Sequence, residues 1–179
     1  MLKRIFIILT FIILLALSFH FLNNQEILPS NSVSLQKTQD SMMYVVTRVV
    51  DGDTLIVEDK SAASDTVRLI GINAPESVDP RRKVECFGKE ASLELKRLVE
   101  GKYIRMEKDL SQQDKDRFQR LLRYVYLEDG AMINKTMIEN GYAYEYTYKV
   151  AYIYQNEFKK AEKEAQVRGR GLWAANACK

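Results

Sequence analysis

The sequence is poor in the residues that build soft-metal sites and glycine-rich cofactor loops. Its 179 residues include one His, two Cys, eight Gly and three Pro. So few nitrogen and sulfur ligands argue against a zinc site with three or four of them. No Walker-type or dinucleotide-binding glycine motif is present either. Any metal ion held by this chain is therefore expected to be a hard cation with oxygen ligands.

Only one long hydrophobic run occurs, from Ile5 to Leu22, and it follows Lys3 and Arg4. As a helix it would rise about 27 Å, just short of the hydrocarbon thickness of a bilayer. A single run excludes a multi-span transporter, and the basic residues before it predict an inside N-terminus with the rest of the chain outside the cytoplasmic membrane. We expect residues 1–22 to be an uncleaved membrane anchor, with secretion after signal-peptide cleavage as the alternative.

A polar segment separates this run from the remainder of the chain. Residues 23–42 lack aromatic side chains and contain Pro29, so we expect a flexible tether. Residues 43–179 have the length of one domain that buries its own core. The net charge of the whole chain is +3, which does not by itself indicate a nucleic-acid partner.

Hydrophobic periodicity predicts strands first and helices later in this domain. Strands are expected at residues 43–50, 54–57, 66–72, 102–107 and 120–127. Helices are expected around residues 87–98, 132–140 and 154–165. Five short strands of this kind, followed by helices, predict an α+β fold built on a small closed β-barrel.

Charged side chains recur where the predicted strands meet loops. They are Asp51, Asp53, Arg68, Glu76 and Arg120. Singly, each has an ordinary interpretation as a turn residue, an edge-strand arginine or a solvated loop side chain. Together they supply what hydrolysis of a phosphodiester needs. Carboxylates can hold a hard cation, guanidinium groups can bind phosphoryl oxygens, and a further carboxylate can orient or deprotonate water.

Six segments, in this order, resemble the staphylococcal nuclease (thermonuclease-like) family. They are VVDGDTLIV, VRLIGINAPE, FGKEAS, DRFQRLLRYVY, ENGYA and GLW, within about residues 44–173. The resemblance implies a five-stranded OB-fold barrel with three helices. It also implies calcium-dependent endonucleolytic cleavage of DNA and RNA to 3′-phosphate ends, with little sequence preference.

The resemblance further implies roles for particular residues. Arg68 and Arg120 would hold the scissile phosphate, and Glu76 would activate water. The implied calcium ligands and their supporting residues are Asp53, Asn73, the carbonyl of Ala74, Asp51 and Thr54.

Two residues depart from the family pattern. Asn73 stands where the best-studied members carry a second metal-binding Asp, so a weaker or less selective calcium site is expected. Gln119 replaces a small Gly before Arg120, which predicts an altered local turn.

Aromatic residues crowd the segment where the family places tyrosines against the bound nucleotide. They are Tyr146, Tyr148, Tyr152 and Tyr154. We expect them to stack on bases, and the alternative for any one of them is packing against the helices.

The two cysteines, Cys86 and Cys178, would face an oxidising exterior if the chain is exported. A disulfide is then expected, with two free thiols as the alternative, because sequence gives no distance between them.

These features predict a monomeric, calcium-dependent nuclease that acts on DNA and RNA and is membrane-anchored or secreted. The main alternative is a non-catalytic barrel of the same fold that binds nucleic acid or protein. A pure binder has no need to keep Asp53, Arg68, Glu76 and Arg120 together. The third alternative is a structural domain without any nucleic-acid role. It gives no reason for Arg68 to share a face of its predicted strand with Ile70 and Ile72, so it ranks last.

Overall fold

The computed structural model describes residues 43–78 and 83–178. The predicted membrane anchor at residues 1–22 and the predicted tether at residues 23–42 lie outside these ranges. Within them, no helix has the length and apolar character needed to cross a membrane.

Seven strands form among the residues that the structure describes, and five of them close into a barrel. They are β1 (Met43–Asp51), β2 (Thr54–Glu58), β3 (Ser64–Leu69), β4 (Ile72–Asn73), β5 (Tyr103–Glu107), β6 (Leu121–Leu127) and β7 (Tyr144–Glu145). The barrel order is β1-β2-β3-β6-β5, and β3 pairs with β6 in parallel while the other barrel pairs are antiparallel. The predicted five-stranded OB-fold barrel is confirmed.

Three α-helices follow the predicted pattern. They are α1 (Gly88–Val99), α2 (Ile133–Glu139) and α3 (Gln155–Val167), and a short 3₁₀ helix spans Gly171–Trp173. Helix α1 buries Ala91, Leu95 and Val99, which are four residues apart and therefore share one face. Helix α1 packs on β1, and α2 packs on β6 and α3. The three predicted helices are confirmed.

The third strand ends earlier than predicted. It was expected over residues 66–72, but it runs over residues 64–69, and Gly71 then takes a φ of 78° that breaks the extended backbone. Beyond Gly71, Ile72 and Asn73 pair with β7 instead of the barrel. The prediction was wrong here because a continuous apolar run conceals a turn whose only sign is a single glycine.

Asn134 is a buried polar residue that fixes the chain where it leaves β3. Its side-chain oxygen accepts the amide of Val125 at 2.9 Å, and its nitrogen donates to the carbonyls of Ile70 at 2.9 Å and Arg123 at 3.2 Å. Both N–H donors and the oxygen of the amide are thus used inside the core. Asn134 holds the exit of β3 against β6.

Asp109 is a fully buried carboxylate after β5. It accepts hydrogen bonds from the Tyr124 hydroxyl at 2.6 Å, the Ile153 amide at 2.9 Å, and the amide and hydroxyl of Ser111. Burial raises the pKa of Asp109, but these hydrogen bonds outweigh it and leave the pKa below its ordinary value. The carboxylate therefore ties the loop after β5 to the segment before α3.

We predict that Asp109→Asn lowers the free energy of unfolding by about 1–3 kcal/mol at neutral pH, because an amide cannot accept all of these donors. A carboxyl with a depressed folded-state pKa stabilises the protein above the unfolded-state pKa of about 3.9 and loses that contribution as pH falls through the folded value. The difference between wild type and variant, measured by urea denaturation, should therefore shrink below about pH 4. Asp65→Asn is the control, and a pH-independent difference would contradict the prediction.

Candidate active site

Arg68 is positioned by the register of β2 and β3, which sets it opposite Thr54. Its Nη1 donates to the carbonyls of Leu69 at 3.0 Å and Ile72 at 2.9 Å. Its Nη2 forms an ion pair with Asp53 Oδ2 at 2.9 Å, and the Arg68 side chain is only 13% exposed. The anionic partner that this largely buried guanidinium requires is thus Asp53.

Asp53 connects Arg68 to a second arginine. It is buried, and its Oδ1 accepts the Thr54 hydroxyl at 2.9 Å while its Oδ2 also accepts the Ala74 amide at 2.9 Å. The Thr54 oxygen in turn accepts Nη1 of Arg120 at 3.3 Å. Arg68 and Arg120 are therefore joined by one continuous chain of polar contacts.

Asp116 orients Arg120, a role that sequence reasoning missed. Nε and Nη2 of Arg120 both lie 2.7 Å from Asp116 Oδ2, and Oδ1 accepts the amides of Phe118 and Arg120. Burial raises the pKa of Asp116, but the contacts from Arg120 and Phe118 bring it below its ordinary value. An Asp that precedes an Arg by four residues across a turn was the available signal, because such side chains cap their own turns.

Gln119 completes this turn with a φ of 64°. That left-handed conformation is the one glycine adopts most easily and other residues avoid by about 1–2 kcal/mol. The structure thus keeps a glycine-type turn at this position although the residue is Gln.

Asp51 and Glu76 lie on the carboxylate side of the site. Asp51 is buried, and its Oδ1 accepts the Gly52 amide at 2.8 Å and the Ser77 hydroxyl at 2.5 Å. Burial is the largest cause of its raised pKa, the two hydrogen bonds oppose it, and the charges of Asp53 and Glu76 add to the rise. The Asp51 carboxylate is therefore close enough to Asp53 and to Glu76 to be repelled by each of them.

Glu76 is held on its loop by backbone contacts. Its amide donates to Glu85 Oε2 at 3.0 Å, and its carbonyl accepts the Glu85 amide at 2.8 Å. Its Oε1 accepts the Val78 amide at 2.8 Å. These bonds tie Glu76 to Val78 and Glu85, and the neighbouring Ser77 hydroxyl ties the same loop to Asp51 of β1.

The donors on the carboxylate side suit a hard cation. Asp51 and Asp53 supply two buried carboxylates side by side, and Asn73 supplies an amide oxygen that accepts Nη2 of Arg68 at 3.2 Å. The Ala74 amide donates to Asp53, so the Ala74 backbone lies beside this carboxylate. Across residues 43–78 and 83–178, no three His, Cys, Asp or Glu side chains are grouped as a metal cluster. The chemistry of the donors fits calcium, with neutral oxygens and water completing its shell.

Arg68 and Arg120 line one cleft of about 510 Å³. Its wall includes Tyr146 and Tyr148, which are 43% and 67% exposed, and Phe118, which is 64% exposed. Asp53 is not among the described residues that line this cleft. It lies behind the lining and forms an ion pair with Arg68, which does line it. The cleft thus presents two guanidinium groups beside exposed aromatic rings.

The other two predicted tyrosines have packing contacts. Tyr152 lines the cleft but is buried, and its hydroxyl donates to the Gly71 carbonyl at 3.2 Å and to Glu145 Oε1 at 3.0 Å. Tyr154 meets the Tyr124 ring edge-on at 4.7 Å and lies away from the described cleft lining. These contacts match the alternative of helix packing, whereas Tyr146 and Tyr148 lie where a base could stack.

Cys86 and Cys178 are joined by a disulfide with a Cα–Cα distance of 5.6 Å. The bridge connects two positions 92 residues apart in the chain. It attaches the segment that ends the Glu76 loop to the segment after the 3₁₀ helix.

Comparison with known proteins agrees with this geometry. A family model described as "Staphylococcal nuclease homologue" matches residues 66–175. The chain is 36% identical to the thermonuclease of Staphylococcus hyicus over 90% of this chain and 91% of that protein. It is 38% identical to the thermonuclease of Staphylococcus intermedius over 73% and 75% of the two chains. It is 36% identical to the SPbeta prophage-derived endonuclease YokF of Bacillus subtilis over 72% of this chain and 43% of that one.

Gly52 lets the acidic turn lie against α1 and the Glu76 loop. A Cβ at this position would come 2.6 Å from Ala74 Cβ and 2.8 Å from Ala91 Cβ. We predict that Gly52→Ala lowers the free energy of unfolding by about 1–3 kcal/mol, because a packed interface has to move. Thermal denaturation measures the loss. Gly52 does not have a positive φ, so the loss is expected from these two side-chain contacts and not from backbone strain. An unchanged melting temperature in Gly52→Ala would contradict the prediction.

Proposed function

Since this chain belongs to the staphylococcal nuclease family, we propose that it is a calcium-dependent endonuclease that cleaves DNA and RNA outside the cytoplasmic membrane. Its reaction class is hydrolysis of phosphodiester bonds. In the family pattern, cleavage would have little sequence preference and would leave 3′-phosphate ends.

The observation that carries this proposal is the polar chain from Arg68 through Asp53 and Thr54 to Arg120. It holds two guanidinium groups at the mouth of one cleft. Forked donors of this kind match the oxygens of a phosphate, and they are most effective when they are already oriented before the substrate arrives.

Each side chain then has a defined task. Arg68 and Arg120 bind the scissile phosphate and stabilise the negative charge that develops on its oxygens during attack. Asp116 keeps the Arg120 guanidinium oriented, and Asp53 does the same for Arg68. Glu76 accepts a proton from the attacking water or orients that water.

Asp51, Asp53, Asn73 and Ala74 are the residues that would hold calcium. When bound, calcium supplies positive charge that offsets the charge of the phosphate and of the neighbouring carboxylates. Asn73 brings one formal negative charge fewer than an Asp would, so we expect weaker calcium binding than in relatives with Asp at this position.

The aromatic wall of the cleft supports binding of single-stranded substrate. Tyr146 and Tyr148 are exposed beside Arg68, and Lys149 Nζ lies 5.2 Å from the Tyr148 ring centre. Stacking on such rings tolerates any base, and the neighbouring cations attract the backbone. This arrangement favours recognition without sequence preference.

The Cys86–Cys178 disulfide supports an extracytoplasmic location, because disulfides persist in oxidising compartments. We further propose that residues 1–22 anchor a monomeric domain to the membrane, or are removed when the protein is secreted. Fractionation of cells that express the full chain distinguishes these two forms.

The alternative is a barrel that binds nucleic acid without cleaving it. Incubation of purified protein with plasmid DNA and with RNA, in calcium or in chelator, separates the two functions. We predict cleavage of both substrates in calcium and loss of cleavage in chelator. Binding of an oligonucleotide in calcium without any cleavage would contradict the nuclease proposal and favour the binder.

Removal of the phosphate-binding or water-activating groups should leave a folded but slow enzyme. We predict that Arg68→Ala, Arg120→Ala and Glu76→Gln each lower kcat by about 10²–10³-fold, as expected for loss of a main electrostatic or proton-transfer group. Arg97→Ala and Glu128→Gln, on the surface away from the cleft, are the matched controls. Near-normal kcat in all three site variants, measured on folded protein, would refute the assigned roles.

A further inference from the structure

We propose that the Cys86–Cys178 disulfide positions Glu76, so that full turnover requires the oxidised protein. This inference rests on the proposed nuclease function. It concerns the regulation of the same site, and it assigns Cys86, Cys178 and Gly88 as positioning residues.

The disulfide begins one residue from the contacts that hold Glu76. Glu85 exchanges two hydrogen bonds with Glu76, one through its side chain at 3.0 Å and one through its amide at 2.8 Å. Cys86 follows Glu85 directly. Any displacement of Cys86 therefore moves the group that fixes the Glu76 backbone.

Gly88 makes a second contact with the same backbone. A Cβ at Gly88 would lie 2.6 Å from the Glu76 carbonyl oxygen, so the start of α1 is pressed against the loop. The close approach is possible only because this residue has no side chain. Glu76 is thus enclosed between Glu85 and the first turn of α1.

Phe87 shows that this segment depends on outside support. Its φ is 69°, a left-handed conformation that is uncommon for a bulky residue. Residues in such conformations persist where the surrounding structure over-determines them, and they occur often at active sites. The covalent bond at Cys86 and the ring contact of Phe87 with Tyr142, 5.5 Å between centres, supply this support.

The other end of the disulfide is anchored to the helices. Leu172, in the 3₁₀ helix, donates its amide to the Gly141 carbonyl at 2.8 Å, and Nη1 of Arg170 donates to the Glu139 carbonyl at 2.9 Å. These bonds fix the segment before Cys178 to the end of α2. The disulfide therefore links the Glu76 loop to a packed part of the domain.

The phosphate-binding arginines are held by different contacts. Arg68 is fixed by Asp53 and by carbonyls of its own strand, and Arg120 is fixed by Asp116 and Thr54. Within the described part of the chain, the bonds that hold the two arginines involve none of residues 83–88 and 171–178. Loss of the disulfide should therefore impair the water-activating step while substrate binding is kept.

Reduction supplies a reversible test of this separation. Two electrons and two protons from dithiothreitol break the S–S bond and leave thiols at Cys86 and Cys178, while dithiothreitol is oxidised to its cyclic disulfide. Steady-state kinetics on a single-stranded oligonucleotide in calcium then give kcat and KM for the oxidised and reduced forms. Circular dichroism at the assay temperature verifies that the reduced protein is folded.

We expect reduction to lower kcat by about 10- to 100-fold, since small misplacements of a reacting group have effects of this size. KM should change less than about threefold, because the arginines keep their contacts. Reoxidation should restore kcat, and so should bridging the two reduced thiols with a short bis-alkylating reagent. Cys86→Ser/Cys178→Ser should behave like the reduced protein and should not respond to dithiothreitol.

Two further variants control for general loss of stability. Val57→Ala, in the core at the far end of β2, should destabilise the protein without lowering the kcat of the folded form. Gly88→Ala keeps the disulfide but displaces the Glu76 backbone, so it should lower kcat with KM nearly unchanged. If the reduced protein unfolds, Gly88→Ala is the variant that tests whether displacement of Glu76 lowers kcat.

The outcomes separate this inference from the proposed function. An oxidised wild type that cleaves nothing in calcium refutes the nuclease itself. An active wild type whose folded reduced form has unchanged kcat overturns the positioning role. The role is also overturned by a loss that appears in KM alone, a loss equalled by Val57→Ala, or an unaltered kcat in Gly88→Ala.

Discussion

The ion pair between Arg68 and Asp53 is the interaction on which the site depends. Both side chains are largely withdrawn from water, with 13% and 9% of their surfaces exposed. Removing one partner of a buried pair typically costs about 3–5 kcal/mol, because the other charge is left uncompensated. Asp53 also accepts hydrogen bonds from the Thr54 hydroxyl and the Ala74 amide. This one carboxylate therefore orients Arg68, orients the hydroxyl that Arg120 contacts, and holds the start of the loop that leads to Glu76.

The barrel topology explains why the two arginines meet. Strands β3 and β6 are parallel, and Arg68 is opposite Leu122 in their register. Arg120 precedes Leu122 by two residues, at the point where the chain enters β6. The offset register pairs the end of β3 with the start of β6, which brings two side chains from distant parts of the sequence to the same end of the barrel. The buried Asn134 reinforces this arrangement by bonding to the carbonyls of Ile70, just after β3, and Arg123, within β6.

Much of this could be predicted from sequence, and the exceptions have physical reasons. Strand and helix identities followed from periodicity, and Arg68 was noticeable because a guanidinium among isoleucines needs an anion. Asp116 was overlooked because an acid near an arginine is most often a solvated surface pair. The fate of each tyrosine could not be predicted, since burial of Tyr152 depends on Gly71, Glu145 and the packing of α3, which no local pattern reveals. The short β4–β7 pair escaped detection because two-residue strands have no periodicity.

The groups proposed to bind substrate and to activate water lie in different parts of the molecule. The arginines lie in or beside barrel strands, which are held by ladders of backbone hydrogen bonds, whereas Glu76 lies in the loop between β4 and α1. A loop of this kind opens at lower free energy than a strand, unless something outside it restricts its motion. The charges of Asp53 and Glu76 also repel the Asp51 carboxylate, which opposes the approach of the Glu76 loop to β1. A covalent attachment beside the loop opposes that repulsion without adding charge to the site. The proposed positioning role of the Cys86–Cys178 disulfide thus follows from the charges of the site, because carboxylates that suit a hard cation also repel one another across the loop.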